Sequence, residues 1–109
     1  IKTPQQFQAE LEANDRVCAL FFASWCPFSR RFLPDFDAAA SANADDFACV
    51  KIDDVDDLCD AYDISVYPSV IFFEKGKIRS RLDGALGRGL SESQLAGLID
   101  KCAAGRTDR

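Results

Sequence analysis

Apolar and polar positions divide the chain into alternating helix-like and strand-like segments. Thr3-Pro4-Gln5-Gln6 supplies an N-cap, a proline at the first helical position and a glutamine at the third, and Phe7 and Leu11 follow one turn apart. The spacing predicts a short amphipathic helix that ends near Asn14. After the polar Asn14-Asp15-Arg16, the run Val17 to Ala23 is continuously apolar, the pattern of a central strand covered on both faces. From Pro27 to about Ala44, Phe28, Phe32, Phe36 and Ala39 recur at helical spacing, and Pro34, lacking an amide hydrogen, is expected to kink that helix.

Phe47 to Ile52 reads as a second strand, and Asp53 to Asp57 leads into a helix carrying Leu58, Ala61 and Tyr62. Val66 to Phe73 predicts a further buried strand, Lys75-Gly76-Lys77 a turn, and Ile78 to Leu82 an alternating strand, which together make a hairpin. A loop with Gly84, Gly87 and Gly89 follows. Ser91 is the expected cap of a last helix with Leu95, Leu98, Ile99 and Cys102 on its apolar face. This order predicts one α/β domain over residues 1–102 with a mixed central sheet flanked by helices, and a tail over 103–109.

The length of 109 residues, with 48% apolar and 28% charged side chains, fits a single soluble core. No apolar run approaches the roughly 18 residues of a spanning helix, so membrane insertion is not expected. The first residues lack the basic-then-apolar layout of a signal peptide, which tilts the expectation toward a soluble, cytoplasmic setting. The start at Ile1 leaves a removed segment open. A net charge of -5 and no basic stripe argue against nucleic acid as a partner. With no histidine in the chain, Cys-His and Ser-His-Asp catalysis are excluded. The Asp53–Asp60 cluster lacks the glycine and terminal glutamate of a calcium loop and reads as a solvated helix start; no metal or cofactor is expected.

Five cysteines, Cys18, Cys26, Cys49, Cys59 and Cys102, are an odd number at wide spacing, which suits neither a disulfide scaffold nor a zinc site. Cys18 and Cys49 lie in apolar strands and are expected to be inert packing groups. Cys59 and Cys102 fall on helices. Cys26 is different, because it follows a buried strand and precedes a helix opened by Pro27. Its sulfur therefore faces the unpaired amides and positive dipole end of that helix, with Arg30 and Arg31 nearby, and this favours the nucleophilic thiolate. Trp25, Pro27 and Phe28 supply an apolar rim around it.

The stretch "FFASWCPFS", Pro34, "KID" at Lys51 to Asp53, "YDISVYPSVIFF" with Pro68, "KGK" in the hairpin and "DGAL" at Asp83 to Leu86 together resemble the thioredoxin superfamily. That resemblance implies the thioredoxin fold, a cis bond at Pro68, and a client groove lined by Pro68 and Tyr67 beside Trp25, Pro27 and Phe28. It also implies that Cys26 attacks disulfides while Ser29 stands where a second, resolving cysteine acts. Leu20 takes the place of the buried acid that assists that second cysteine, and Cys49 the place of the lysine beside it. The stretch "ASWCPFSR" further resembles monothiol thioredoxin domains of plant adenylylsulfate-reductase-like proteins and a monothiol member of the protein disulfide isomerase family.

The implied activity is thiol-disulfide exchange by a monomer. Its partners would be protein clients carrying disulfides or thiols, with glutathione or a thioredoxin-reductase-like reductant as the further thiol source. Two other readings stay open: a non-catalytic binding module that keeps the groove, and a dithiol C-x-x-C oxidoreductase in which Ser29 was introduced. The family topology sets the Cys59 helix to one side of the site, which weighs against Cys59 as a resolving thiol.

Overall fold

A computed structural model of the chain describes residues 3–42, 48–53, 55–84 and 93–97. Helix α1 (Pro4–Ala13) starts where the Gln6 amide donates to Thr3 Oγ1 at 3.1 Å, and it buries Phe7 and Leu11 as their spacing predicts. Strand β1 (Arg16–Phe22) is followed by helix α2 (Pro27–Ala42), strand β2 (Ala48–Asp53), helix α3 (Asp56–Ala61) and the hairpin β3 (Ser69–Glu74) and β4 (Lys77–Asp83). Residues 93–97 are helical, and Leu95 among them is buried. The expectations for Asp54, the Ser91 cap, Leu98, Ile99, Cys102 and the tail lie outside the described residues.

The sheet order is β2-β1-β3-β4, with β1 parallel to β2 and antiparallel to β3, and β3 antiparallel to β4. This is the expected mixed sheet in a single α/β layer arrangement. Strand alternation sends Cys18 and Leu20 to one face, where they meet Phe32 and Phe36 of α2, Val70, Phe72 and Leu95. Val17, Ala19 and Phe21 go to the other face, against Phe7 and Leu11 of α1, Leu58 and Cys59 of α3, Ile52, Ile71 and Phe73. The uninterrupted apolar run of β1 is thus two core faces interleaved. On the second face Phe7, Phe21, Phe73 and Tyr62 pack edge-on or tilted at 5.4 to 6.2 Å between ring centroids.

One expected boundary moves. The strand read from Val66 begins instead at Ser69, because Pro68 has no N–H to give a ladder; Val66–Pro68 is a loop held where Ser69 Oγ–H donates to the Val66 carbonyl at 2.7 Å. Helix α2 continues past Pro34 to Ala42, with Phe32 and Phe36 buried on either side of it. The hairpin turn has Lys75 and Gly76 both at positive φ (54° and 79°), the backbone of a two-residue turn matched to strand twist.

Phe36 is 2% exposed at the centre of the α2 face. Phe36→Ala should cost about 3–5 kcal/mol. Urea unfolding is expected to show a lower midpoint with an unchanged slope.

Candidate functional site

Strand β1 ends at Phe22, and the chain turns sharply: the Cys26 amide donates to the Ala23 carbonyl at 2.9 Å. The Arg30 amide then donates to the Cys26 carbonyl at 3.0 Å, which makes Cys26 the residue at the threshold of α2. It is 8% exposed. Proline at the next position suits a first helical turn, where its missing amide hydrogen has no partner to lose.

Ser29 lies one turn into α2 and is wholly buried. Its Oγ accepts a hydrogen bond from the Ala23 amide at 3.2 Å, so the hydroxyl ties the helix back to the end of β1. A second tie comes from β2, where the Asp53 carboxylate accepts from the Ser24 amide at 2.9 Å. In sequence Asp53 read as the "KID" strand end and as part of the acidic run before α3. Its role in holding the turn depends on the β1–β2 register, which sets Phe22 beside Asp53.

On the other side of the turn stands the loop before β3. The Tyr67–Pro68 bond is cis, as the resemblance implies, and Pro68 is buried. The Tyr67 ring meets the edge of the Trp25 ring at 6.0 Å, which joins this loop to the residue preceding Cys26. Trp25 is 64% exposed, the most exposed large apolar side chain among the described residues. The Tyr67 hydroxyl lies 3.1 Å from Cys59 Sγ, a hydrogen bond in which either group can donate. Cys59 is buried on α3 within the opposite core face, a placement its helical position alone did not reveal. Pro27 is exposed, and Phe28 is half-buried with the Arg31 guanidinium 5.4 Å from its ring centroid.

Gly84 backs the Pro68 loop. A Cβ there would fall 2.5 Å from the Pro68 carbonyl oxygen, so only glycine permits that approach. Sequence reading treated Gly84 as one of several loop glycines, and the contact that requires it joins the end of β4 to a loop from earlier in the chain.

Leu20 is fully buried among the phenylalanines of the α2 face. Lys51, its register partner, is ion-paired with Asp37 of α2 at 3.1 Å. Asp56 and Asp57 are exposed in the first turn of α3, as a solvated helix start requires. Among the described residues no cluster of His, Cys, Asp or Glu is arranged to hold a metal, and no helix is long and apolar enough to cross a membrane. A depression of about 670 Å³ bordered by Arg16, Glu74 and Arg79 opens at the hairpin end of the sheet. It is remote from Cys26, since Arg16 begins the strand that Cys26 follows.

A mixed sheet whose central strand delivers a cysteine to a helix N-terminus, beside a cis-proline loop, defines a thioredoxin-fold protein with a monothiol C-x-x-S turn. The family model described as Thioredoxin matches residues 1–100, and the chain belongs to that family. It is 34% identical over 85 residues to thioredoxin of Mycoplasma pneumoniae, covering 77% of this chain and 83% of that protein. It is likewise 34% identical over 83 residues to protein disulfide-isomerase A5 of Bos taurus, where the match covers 71% of this chain but spans only 16% of the bovine protein. The fold is similar to that of Plasmodium falciparum thioredoxin, with a TM-score of 0.83 at 22% identity over 93% of this chain and 95% of that one.

The chain has a single tryptophan, so Trp25 emission reports on this site alone. Gly84→Ala should push back the Pro68 loop, shift the Trp25 emission through Tyr67, and destabilise the fold by about 1–3 kcal/mol. An unchanged Trp25 spectrum would show that the loop does not respond to Gly84.

Proposed function

We propose that this protein is a monothiol thiol-disulfide exchanger in which Cys26 is the nucleophile. The observation that carries this reading is the position of Cys26 at the N-terminal end of the sixteen-residue helix α2, beside the cis Tyr67–Pro68 loop, with a buried hydroxyl at position 29. The Cys26 thiolate attacks one sulfur of a disulfide, a new S–S bond forms, and the other sulfur leaves as a thiolate that takes up a proton. In a dithiol relative the second cysteine would then displace the captured partner.

Ser29 does not perform that step, since a hydroxyl is a poor nucleophile toward sulfur and this one already accepts from Ala23 N–H. Leu20 likewise offers no proton acceptor beneath it. The adduct on Cys26 therefore persists until a thiol from outside attacks it. Proteins with disulfides or thiols, and glutathione, are the partners this chemistry selects.

Recognition of the client is assigned to Trp25, Pro27, Phe28, Tyr67 and Pro68. The exposure of Trp25, steadied by Tyr67, supports a protein or peptide client, because an indole kept at the surface is a characteristic anchor at protein interfaces.

Exposure to glutathione disulfide is expected to add one glutathione at Cys26, stable after the excess is removed and lost on addition of dithiothreitol. In Ser29→Cys the same adduct should discharge by itself, leaving a bond between positions 26 and 29. Peptide mapping by mass spectrometry reads both results. Absence of an adduct at Cys26, or its preferential formation on Cys59, would overturn the assignment.

A further inference from the structure

Two cysteines that the exchange reaction does not use stand side by side in the sheet. The parallel register of β1 and β2 sets Cys18 directly opposite Cys49. Cys18 belongs to the α2 face of the core and Cys49 packs against the same cluster, so both side chains leave the sheet on one side. Neighbouring strands run about 4.7–4.9 Å apart, and a disulfide needs Cα atoms about 4.4–6.8 Å apart. The spacing of the two strands at this register therefore falls within the Cα range of a disulfide.

The two thiols also differ in a useful way. Cys18 is 1% exposed, whereas Cys49, on β2 at the margin of the described sheet, is half-buried. A hydrogen bond between the Cys18 and Cys49 side chains lowers the Cys49 thiol from its ordinary value, against the opposing effect of burial. Two residues along β2 from Cys49, Lys51 is paired with Asp37 of α2. Cys49 is thus the more accessible member, and Cys18 the enclosed one beside it.

We propose that Cys18 and Cys49 form a second redox site, separate from Cys26, at which hydrogen peroxide converts the two thiols into a cross-strand disulfide. The Cys49 thiolate attacks one peroxide oxygen; the O–O bond breaks, hydroxide leaves and is protonated to water, and Cys49 becomes a sulfenic acid. The Cys18 sulfur then attacks the Cys49 sulfur. The S–O bond breaks, the S–S bond forms, and the departing hydroxide leaves as a second water with the Cys18 proton. The two thiols lose two electrons and two protons in all, and one peroxide is reduced to two waters.

The full chain carrying Cys26→Ser is suited to the test, because Cys18 is then the only cysteine in its tryptic peptide. After peroxide treatment, non-reducing peptide mapping should find the Cys18 peptide joined to the Cys49 peptide with loss of two hydrogen masses, reversed by dithiothreitol. In Cys18→Ala on the same background, checked for folding by circular dichroism, that linkage should vanish and dimedone should label Cys49. Cys49 oxidised to sulfinic acid while Cys18 stays a thiol would overturn the proposal. So would Cys49 joined to Cys59 or Cys102, or no change at either cysteine under excess peroxide.

Discussion

The structure depends on the burial of β1 on both faces. A strand with one wet face would need polar residues at alternate positions, and β1 has none between Val17 and Phe22. It must therefore lie inside the sheet with helices on both sides, paired to β2 along one edge and β3 along the other. Each large side chain so buried contributes on the order of 1.5–3 kcal/mol. The strand thereby becomes the rigid part from which the Cys26 turn projects.

Rigidity at the base of the turn lets a short loop place a cysteine well. Ala23 N–H to Ser29, Ser24 N–H to Asp53 and Cys26 N–H to Ala23 C=O tie the turn to α2, to β2 and to itself. Ser29 accordingly has a structural task whatever chemistry is lost with the second thiol: it satisfies an amide at the end of the buried strand, where an unpaired donor would cost about 1–3 kcal/mol. Leu20 extends the apolar α2 face to the position where relatives with resolving chemistry are expected to carry an acid.

Cysteine chemistry in this protein is set by surroundings rather than by count. The same side chain occurs at a helix threshold as Cys26, beneath the tyrosine of the cis-proline loop as Cys59, and as a facing pair in adjacent strands as Cys18 and Cys49. Cys59 Sγ shares a hydrogen bond with the Tyr67 hydroxyl, whose ring in turn meets Trp25, so a residue in the α3 core is linked through two contacts to the rim of the turn that carries Cys26.

The elements and the placement of Cys26 at a helix start were legible in the sequence because both follow from local rules: continuous apolar runs for strands, four-and-three spacing for helices, and a cysteine-proline step after a buried strand. Thr3, Phe7 and Leu11 specify α1 within ten residues of chain, and Lys75-Gly76 specifies its turn by backbone preference. Local pattern missed what long-range register decides. Val66 to Pro68 read as strand because their side chains are apolar, yet a ladder needs amide hydrogens and begins at Ser69. Gly84 became necessary only when folding brought β4 against Pro68. Cys18 and Cys49 looked like separate packing residues, since thirty residues of chain part them, and only the parallel alignment of β1 with β2 set one thiol beside the other.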